Sequence, residues 1–261
     1  MTASTTVESF LGLCSLQLSD NNPQFVRWKS KELVGWINFG QRVIAKYMPY
    51  ACARVDVIKL KAGTRQSIEA IAAADIKTTD GSTAPTILHG NMLLGISHNM
   101  GADGLTPGRA IRIVDRDVLD ATNRDWHLPT KAGDFPTQYT YDPRVPKFFS
   151  VCPGVRAGAD VWVEASLLAD PIVLDPALDY SSGTNNQIVL STDDKYNDDL
   201  LNAVLAQAYM KDAEAQGSAD LVAAHSTMFA NSINAQVKAM TGVNPNLKGL
   251  PLNGAIPAQA S

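Results

Sequence analysis

The chain has 261 residues, 45% of them hydrophobic and 18% charged, with 18 Gly, 14 Pro and three cysteines. That composition excludes collagen-like, disordered and disulfide-scaffold classes, and the widely spaced Cys14, Cys52 and Cys152 suit reduced thiols. The net charge of -4 argues against a dedicated nucleic-acid binder, which carries a basic footprint.

No apolar run reaches the roughly 18 to 20 residues of a membrane-spanning helix. Met1 is followed by Thr-Ala-Ser-Thr-Thr without a basic segment, so no secretory leader is expected. Charge is unevenly spread. Residues 24–65 hold nine Lys or Arg against Glu32 and Asp56, whereas 170–220 hold ten acids against Lys195 and Lys211. These regions are either separate solvated faces or complementary surfaces of neighbouring subunits.

Helix is expected first. Residues 5–17 place Val7, Phe10, Leu11 and Cys14 on one face. Over 30–48, Leu33, Trp36, Ile37, Gly40, Ile44, Tyr47 and Met48 recur at helical spacing, and Pro49 ends the run.

From Arg54 the period changes to two, at Val55 and Val57, Ile111 and Ile113, Tyr139 and Tyr141, Phe149 and Val151, and Val161, Val163, Ala165 and Leu167. Asp80-Gly81, Asp103-Gly104, Pro107-Gly108, Asp142-Pro143-Arg144 and Pro153-Gly154 read as turns between antiparallel strands. One short helix is expected at about 115–126.

After a Pro- and Gly-punctuated linker at 169–190, Ser191 or Thr192 is placed to cap a helix whose first turns carry Asp193, Asp194, Asp198 and Asp199. Leu201, Leu205, Ala208 and Tyr209 form its stripe, and Gly217 closes it. A second helix runs to about Met240 with Val222, His225, Phe229, Ile233 and Val237 in register, completing a helical hairpin.

The fold class predicted is α+β. Residues 1–53 and 191–240 form a discontinuous helical bundle from both chain ends, 54–190 an inserted antiparallel β sandwich or barrel, and 241–261 an extended C-terminal arm. Leu247, Leu250, Pro251, Leu252 and Ile256 are apolar residues on that unpatterned arm, suited to docking on a neighbouring chain or partner.

The candidates for chemistry are weak. Gly95-Ile96-Ser97-His98-Asn99 resembles a nucleophile elbow, which would make the chain a small hydrolase using Ser97 and His98. Asn99 stands where the closing glycine belongs, and no helix follows. His89, His98, His127 and Cys152 lack metal-ligand spacing, and dipole compensation accounts for Asp194 and Asp198 without a metal. His225 reads as a core-edge residue. No phosphate-binding glycine motif is present, so no cofactor is expected. A β-sandwich binding module is a further alternative.

Several segments together carry a resemblance. They are Glu32-Leu33-Val-Gly-Trp36-Ile37-Asn38-Phe-Gly-Gln41-Arg42, then Arg112-Ile-Val-Asp-Arg116 through Leu119, Asp120, Asn123, Trp126 and His127. Tyr139-Thr-Tyr141-Asp142-Pro143-Arg144 through Pro146, Phe149, Val151 and Pro153 follows, with Tyr196, Leu200, Tyr209 and Ala213 downstream. Over about 27–240 the chain resembles the head-to-tail adaptor proteins of short-tailed bacteriophages, the tail tubular protein A-like group.

The resemblance implies a structural virion protein, made in the bacterial host cytoplasm, with no enzymatic activity. It implies twelve copies in a ring between the portal protein and the tail nozzle, attachment of tail fibres, and DNA leaving through the lumen. On that footing Lys29, Lys31 and Arg42 are candidate partners, across subunits, for Asp194, Asp198 and Asp199. The acidic 170–220 region is alternatively a lumen- or tail-facing surface that lets DNA slide.

Overall fold

The computed structural model describes residues 5–20, 27–78, 87–180, 185–212 and 217–243 and shows an α+β protein with antiparallel sheets. The described helices are α1 (Val7–Gln17), α2 (Ser30–Tyr47), α3 (Arg116–Thr122), α4 (Asn197–Lys211) and α5 (Ser218–Val243). The described strands are β1 (Ala53–Lys59), β2 (Gly63–Ser67), β3 (Ile71–Ala72), β4 (Ile76–Thr78), β5 (Ile87–Leu88), β6 (Gly90–Asn99), β7 (Arg112–Ile113), β8 (Gln138–Tyr141), β9 (Phe148–Val155) and β10 (Trp162–Ala169). The chain divides into two compact units, Met1–Cys52 with Pro171–Ser261, and Ala53–Asp170.

In the first unit, one apolar core joins Val7, Phe10 and Cys14 of α1, Leu33, Ile37 and Ile44 of α2, Leu200 and Val204 of α4, and Ile233 of α5. Thr6 caps α1 by accepting a hydrogen bond from the Ser9 amide at 3.2 Å. Rather than showing one apolar stripe, α4 buries Leu200, Ala203, Val204, Leu205, Ala206 and Ala208, because small alanines let its neighbours close in. A Cβ on Gly40 would lie 2.5 Å from Cδ1 of the buried Leu200, so any larger residue there must displace that side chain of α4.

Leu174, Tyr180 and Leu190, from the stretch expected to be a Pro- and Gly-punctuated linker at the end of the 54–190 region, are buried in this same core. Neither Ser191 nor Thr192 caps α4. Ser191 is occupied elsewhere, its amide donating to Gln41 Oε1 at 2.8 Å and its hydroxyl accepting from the Ile172 amide at 2.9 Å. The cap falls to Asp193, which accepts from the Lys195 amide at 3.1 Å ahead of a 3-10 turn, Asp194–Tyr196, that runs into α4.

The second unit packs two four-stranded sheets, ordered β4-β1-β10-β6 and β2-β9-β8-β7, around one core. Val161, Val163, Ala165 and Leu167 point into it with a clean period of two. On β6 the buried positions are Gly90, Leu93, Ile96 and Asn99, every third residue. Its register with β10 slips three times, leaving Asn91, Leu94 and Ser97 without paired partners. Each bulge inserts one residue and resets which face the next side chain takes.

Segment 109–114 joins the edges of the two sheets. Asn99 N donates to Arg109 O at 2.9 Å and Ile111 N to Ser97 O at 3.0 Å. Arg112 N then donates to Thr137 O at 3.1 Å and Val114 N to Tyr139 O at 2.8 Å. Consequently β7 runs parallel to β8, against the expectation of antiparallel pairing throughout, and Ile113 is exposed. Pro153-Gly154 lies within β9 rather than in a turn. Asp80-Gly81 falls outside the described residues.

Candidate functional site

The residues that carry the resemblance serve structure. On α2, Asn38 is buried and its carboxamide makes a pair of hydrogen bonds with the Leu174 backbone, Nδ2 to the carbonyl at 2.8 Å and Oδ1 from the amide at 2.9 Å. One turn later Gln41, fully buried, holds the Ser191 amide. Two carboxamides on one helical face therefore fix the returning chain, doing for it what a neighbouring strand would do.

The second motif behaves similarly. Asp115 caps α3 by accepting from the Asp117 amide at 2.9 Å. Asp120 Oδ1 accepts from Trp126 Nε1 at 2.8 Å, and Leu119, Trp126 and Cys152 form a separate small core with Val114. In the third motif Tyr139 pairs with Val151 and Tyr141 with Phe149 across the β8–β9 hairpin. Asp142 orders the turn by accepting from the Arg144 amide at 2.9 Å, and the Arg144 guanidinium holds the Asp142 carboxyl below its ordinary range.

The candidate charge residues are not equivalent. Lys29, Lys31, Arg42 and Asp198 are exposed. Arg42 Nε donates to Asn38 O at 3.2 Å, within its own helix. Asp194 turns inward, its Oδ1 accepting from the Thr5 amide at 2.9 Å. Asp199 is buried at 4% exposure and accepts from Gln236 Nε2 at 2.7 Å, so it offers no charge at the surface of this chain. Leu247, Leu250, Pro251, Leu252 and Ile256 lie outside the described residues.

Ser97 sits exposed in the last bulge of β6, not at a strand-to-helix turn, and His98 Nδ1 lies 3.5 Å from Glu164 on the paired strand. Asn99 instead holds the corner, donating through Nδ2 to Pro136 O at 2.9 Å and Arg109 O at 3.2 Å. Among the described residues no group of three or more His, Cys, Asp or Glu is placed to hold a metal ion, and no helix is long and apolar enough to cross a membrane. Burial pushes the Cys14 thiol up to about 12, which keeps it protonated and a poor nucleophile.

His225 joins the two arms of the hairpin. Its ring stacks on Tyr209 with centroids 5.7 Å apart and planes 12° apart, and its Nδ1 lies 2.9 Å from Asn202 Oδ1. Burial lowers its pKa below the ordinary histidine value. At the far end of α4, Lys211 reaches Glu32 at 2.6 Å and holds that carboxyl below its ordinary range, while Arg27 pairs with Asp212.

Sequence reasoning missed Asn38, Gln41 and Asp120 as individual residues. For Asn38 and Gln41 the available signal was a polar side chain at a position that the helical period assigns to the buried face, whereas Asp120 is exposed and carried no such signal. What the geometry builds from these motifs is a scaffold rather than a reaction centre. No curated protein matches the sequence significantly. The family model for the SU10 adaptor protein matches residues 5–246, nearly the whole chain, and the chain belongs to that family.

Proposed function

We propose that this chain is the head-to-tail adaptor of a short-tailed bacteriophage, a tail tubular protein A-like subunit that forms a ring, twelve copies around, between portal and tail nozzle. The observation that carries the proposal is the family match over 5–246, which spans both compact units and supports a phage adaptor with a structural role in the virion. The use of the motif residues as scaffold agrees with it.

In this reading the helices of the two chain ends act together as the bundle of the ring, and the β unit supplies a second surface for neighbours or tail fibres. α5 runs on to Val243, so the arm is the chain after it, and with Leu247, Leu250, Pro251, Leu252 and Ile256 it docks on the portal or an adjacent subunit. A ring is the closed form of a heterologous interface, in which one surface of each copy meets a different surface of the next. DNA passes through its lumen without sequence recognition.

Deleting the gene from the phage tests the assignment. DNA-filled heads without tails are expected to accumulate, and infectivity is expected to return on complementation with wild type, with Ser97→Ala or with His98→Ala. Complete infectious particles without the protein would contradict the adaptor role. Failure of Ser97→Ala or His98→Ala alone, with particles fully assembled, would favour the hydrolase reading.

A further inference from the structure

The outer face of α2 carries a narrow seam. Lys31, Phe39, Arg42 and Lys46 are exposed, Phe39 at 43%, and with Gly35 they recur at spacings of four, four, three and four residues. At 3.6 residues per turn these positions fall within an arc of roughly 80°. No acid lies on it, because the only carboxylate of α2, Glu32, stands to one side and is taken by Lys211.

Gly35 and Gly40 differ in a telling way. Glycine inside a helix weakens it relative to alanine, so an interior glycine calls for a neighbour that needs the space. Gly40 has one, since a Cβ there would meet Leu200. Around Gly35 a Cβ would meet nothing within 4 Å. Among the described residues nothing fills the space beside Gly35, and an exposed aromatic stands one turn away.

We propose that this seam is the docking face for a second copy of the chain, which seats a side chain over Gly35 beside Phe39. The exposed acids Asp175 and Asp198 of that copy meet the cluster of Lys31, Arg42 and Lys46. The proposal rests on the ring reading and names the surface that would join its subunits.

Charge complementarity selects the occupant: α2 presents three exposed cations and no exposed acid, while along 175–198 Lys195 is paired with Asp193 at 3.4 Å and the other exposed charges are acids. Exposed ion pairs contribute little affinity and mainly set register and encounter rate. Phe39 and the approach at Gly35 supply the buried contact. A nucleic acid would use the three cations but leave Phe39 and Gly35 without a role.

The test uses the full chain with Phe39 replaced by the photocrosslinker p-benzoylphenylalanine, irradiated over a concentration series at low and high salt. Crosslinked dimers and larger species are expected, joined to peptides containing Asp175 or Asp193 to Asp198. Their yield should fall about tenfold in K31E/R42E/K46E, as when steering charges are reversed, and fall likewise at high salt. Mixing that triple variant with a D175K/D198K chain should restore the product, which also shows that both variants are folded.

A chain that gives no crosslink at any concentration, products joined to other peptides, or a yield indifferent to salt and charge reversal would overturn the seam. So would preferential crosslinking to added duplex DNA. The gene-deletion phenotype is independent of all of these, so failure of the seam is distinguishable from failure of the adaptor role.

Discussion

The Asn38 carboxamide faces the Leu174 backbone and satisfies both its amide and its carbonyl, at 2.9 and 2.8 Å. Leu174 is buried at 3% exposure, so neither backbone group has water as an alternative. Replacing Asn38 by Leu would orphan both groups, each at a cost of about 1–3 kcal/mol. Urea denaturation of Asn38→Leu should show a loss of about 2–6 kcal/mol.

Gln41→Leu should cost less than Asn38→Leu. It orphans only the Ser191 amide and also removes Gln41 Nε2, a buried donor with no partner among the described residues. Equal losses in the two variants, measured by the same denaturation, would contradict the carboxamide account.

The two glycines of α2 should respond in opposite directions. Gly40→Ala forces Leu200 or the helices apart and should destabilise the free chain by about 1–3 kcal/mol. Gly35→Ala meets open space and should stabilise it by about 0.5–1 kcal/mol through helix propensity. Thermal melts of the free chain check both, and a destabilising Gly35→Ala would show that the space is already used within the chain.

His225 gives the hairpin a pH dependence. Its folded-state pKa is lowered by burial, so the unfolded chain takes up the proton first as pH falls. The stability contributed by the neutral ring is therefore complete above the ordinary histidine value and is lost as pH drops through the lower folded value. Stability measured across the mildly acidic range should decline in the wild type and decline less in His225→Phe, which keeps the stack on Tyr209. Identical slopes would remove His225 from the account.

Much of the architecture was legible where burial has a single period. Val161, just before β10, and Val163, Ala165 and Leu167 on it alternate because that face meets the core, with Trp162 and Leu168 buried on the other face, and α2 shows its apolar arc because one side faces α4. β6 is hard to read because three bulges leave an unbroken repeat of three, which matches neither the alternation of a strand nor the 3.6-residue period of a helix. The stretch around Leu174 and Ser191 reads as linker because what anchors it lies far away in sequence on α2, at Asn38 and Gln41. The motif residues could be quoted from the sequence, but their roles depend on partners far away in the chain, as Asn38 depends on Leu174.

Trp126 shields Cys152. The two share a small core with Leu119, and burial raises the Cys152 thiol above its ordinary value. Trp126→Ala should cost about 3–5 kcal/mol and leave Cys152 open to thiol reagents under native conditions, while Cys14 stays unreactive. Labelling followed by peptide mapping checks this, and rapid native labelling of Cys152 in the wild type would contradict it.

The most direct measurement is an electron-microscopic reconstruction of the head–tail junction of the phage that encodes this chain. The account predicts a closed ring of copies of this chain around the DNA path, with α2 of each subunit against the 175–198 surface of the next. Absence of the chain from the junction, or its presence there as isolated copies that form no ring, would contradict the account.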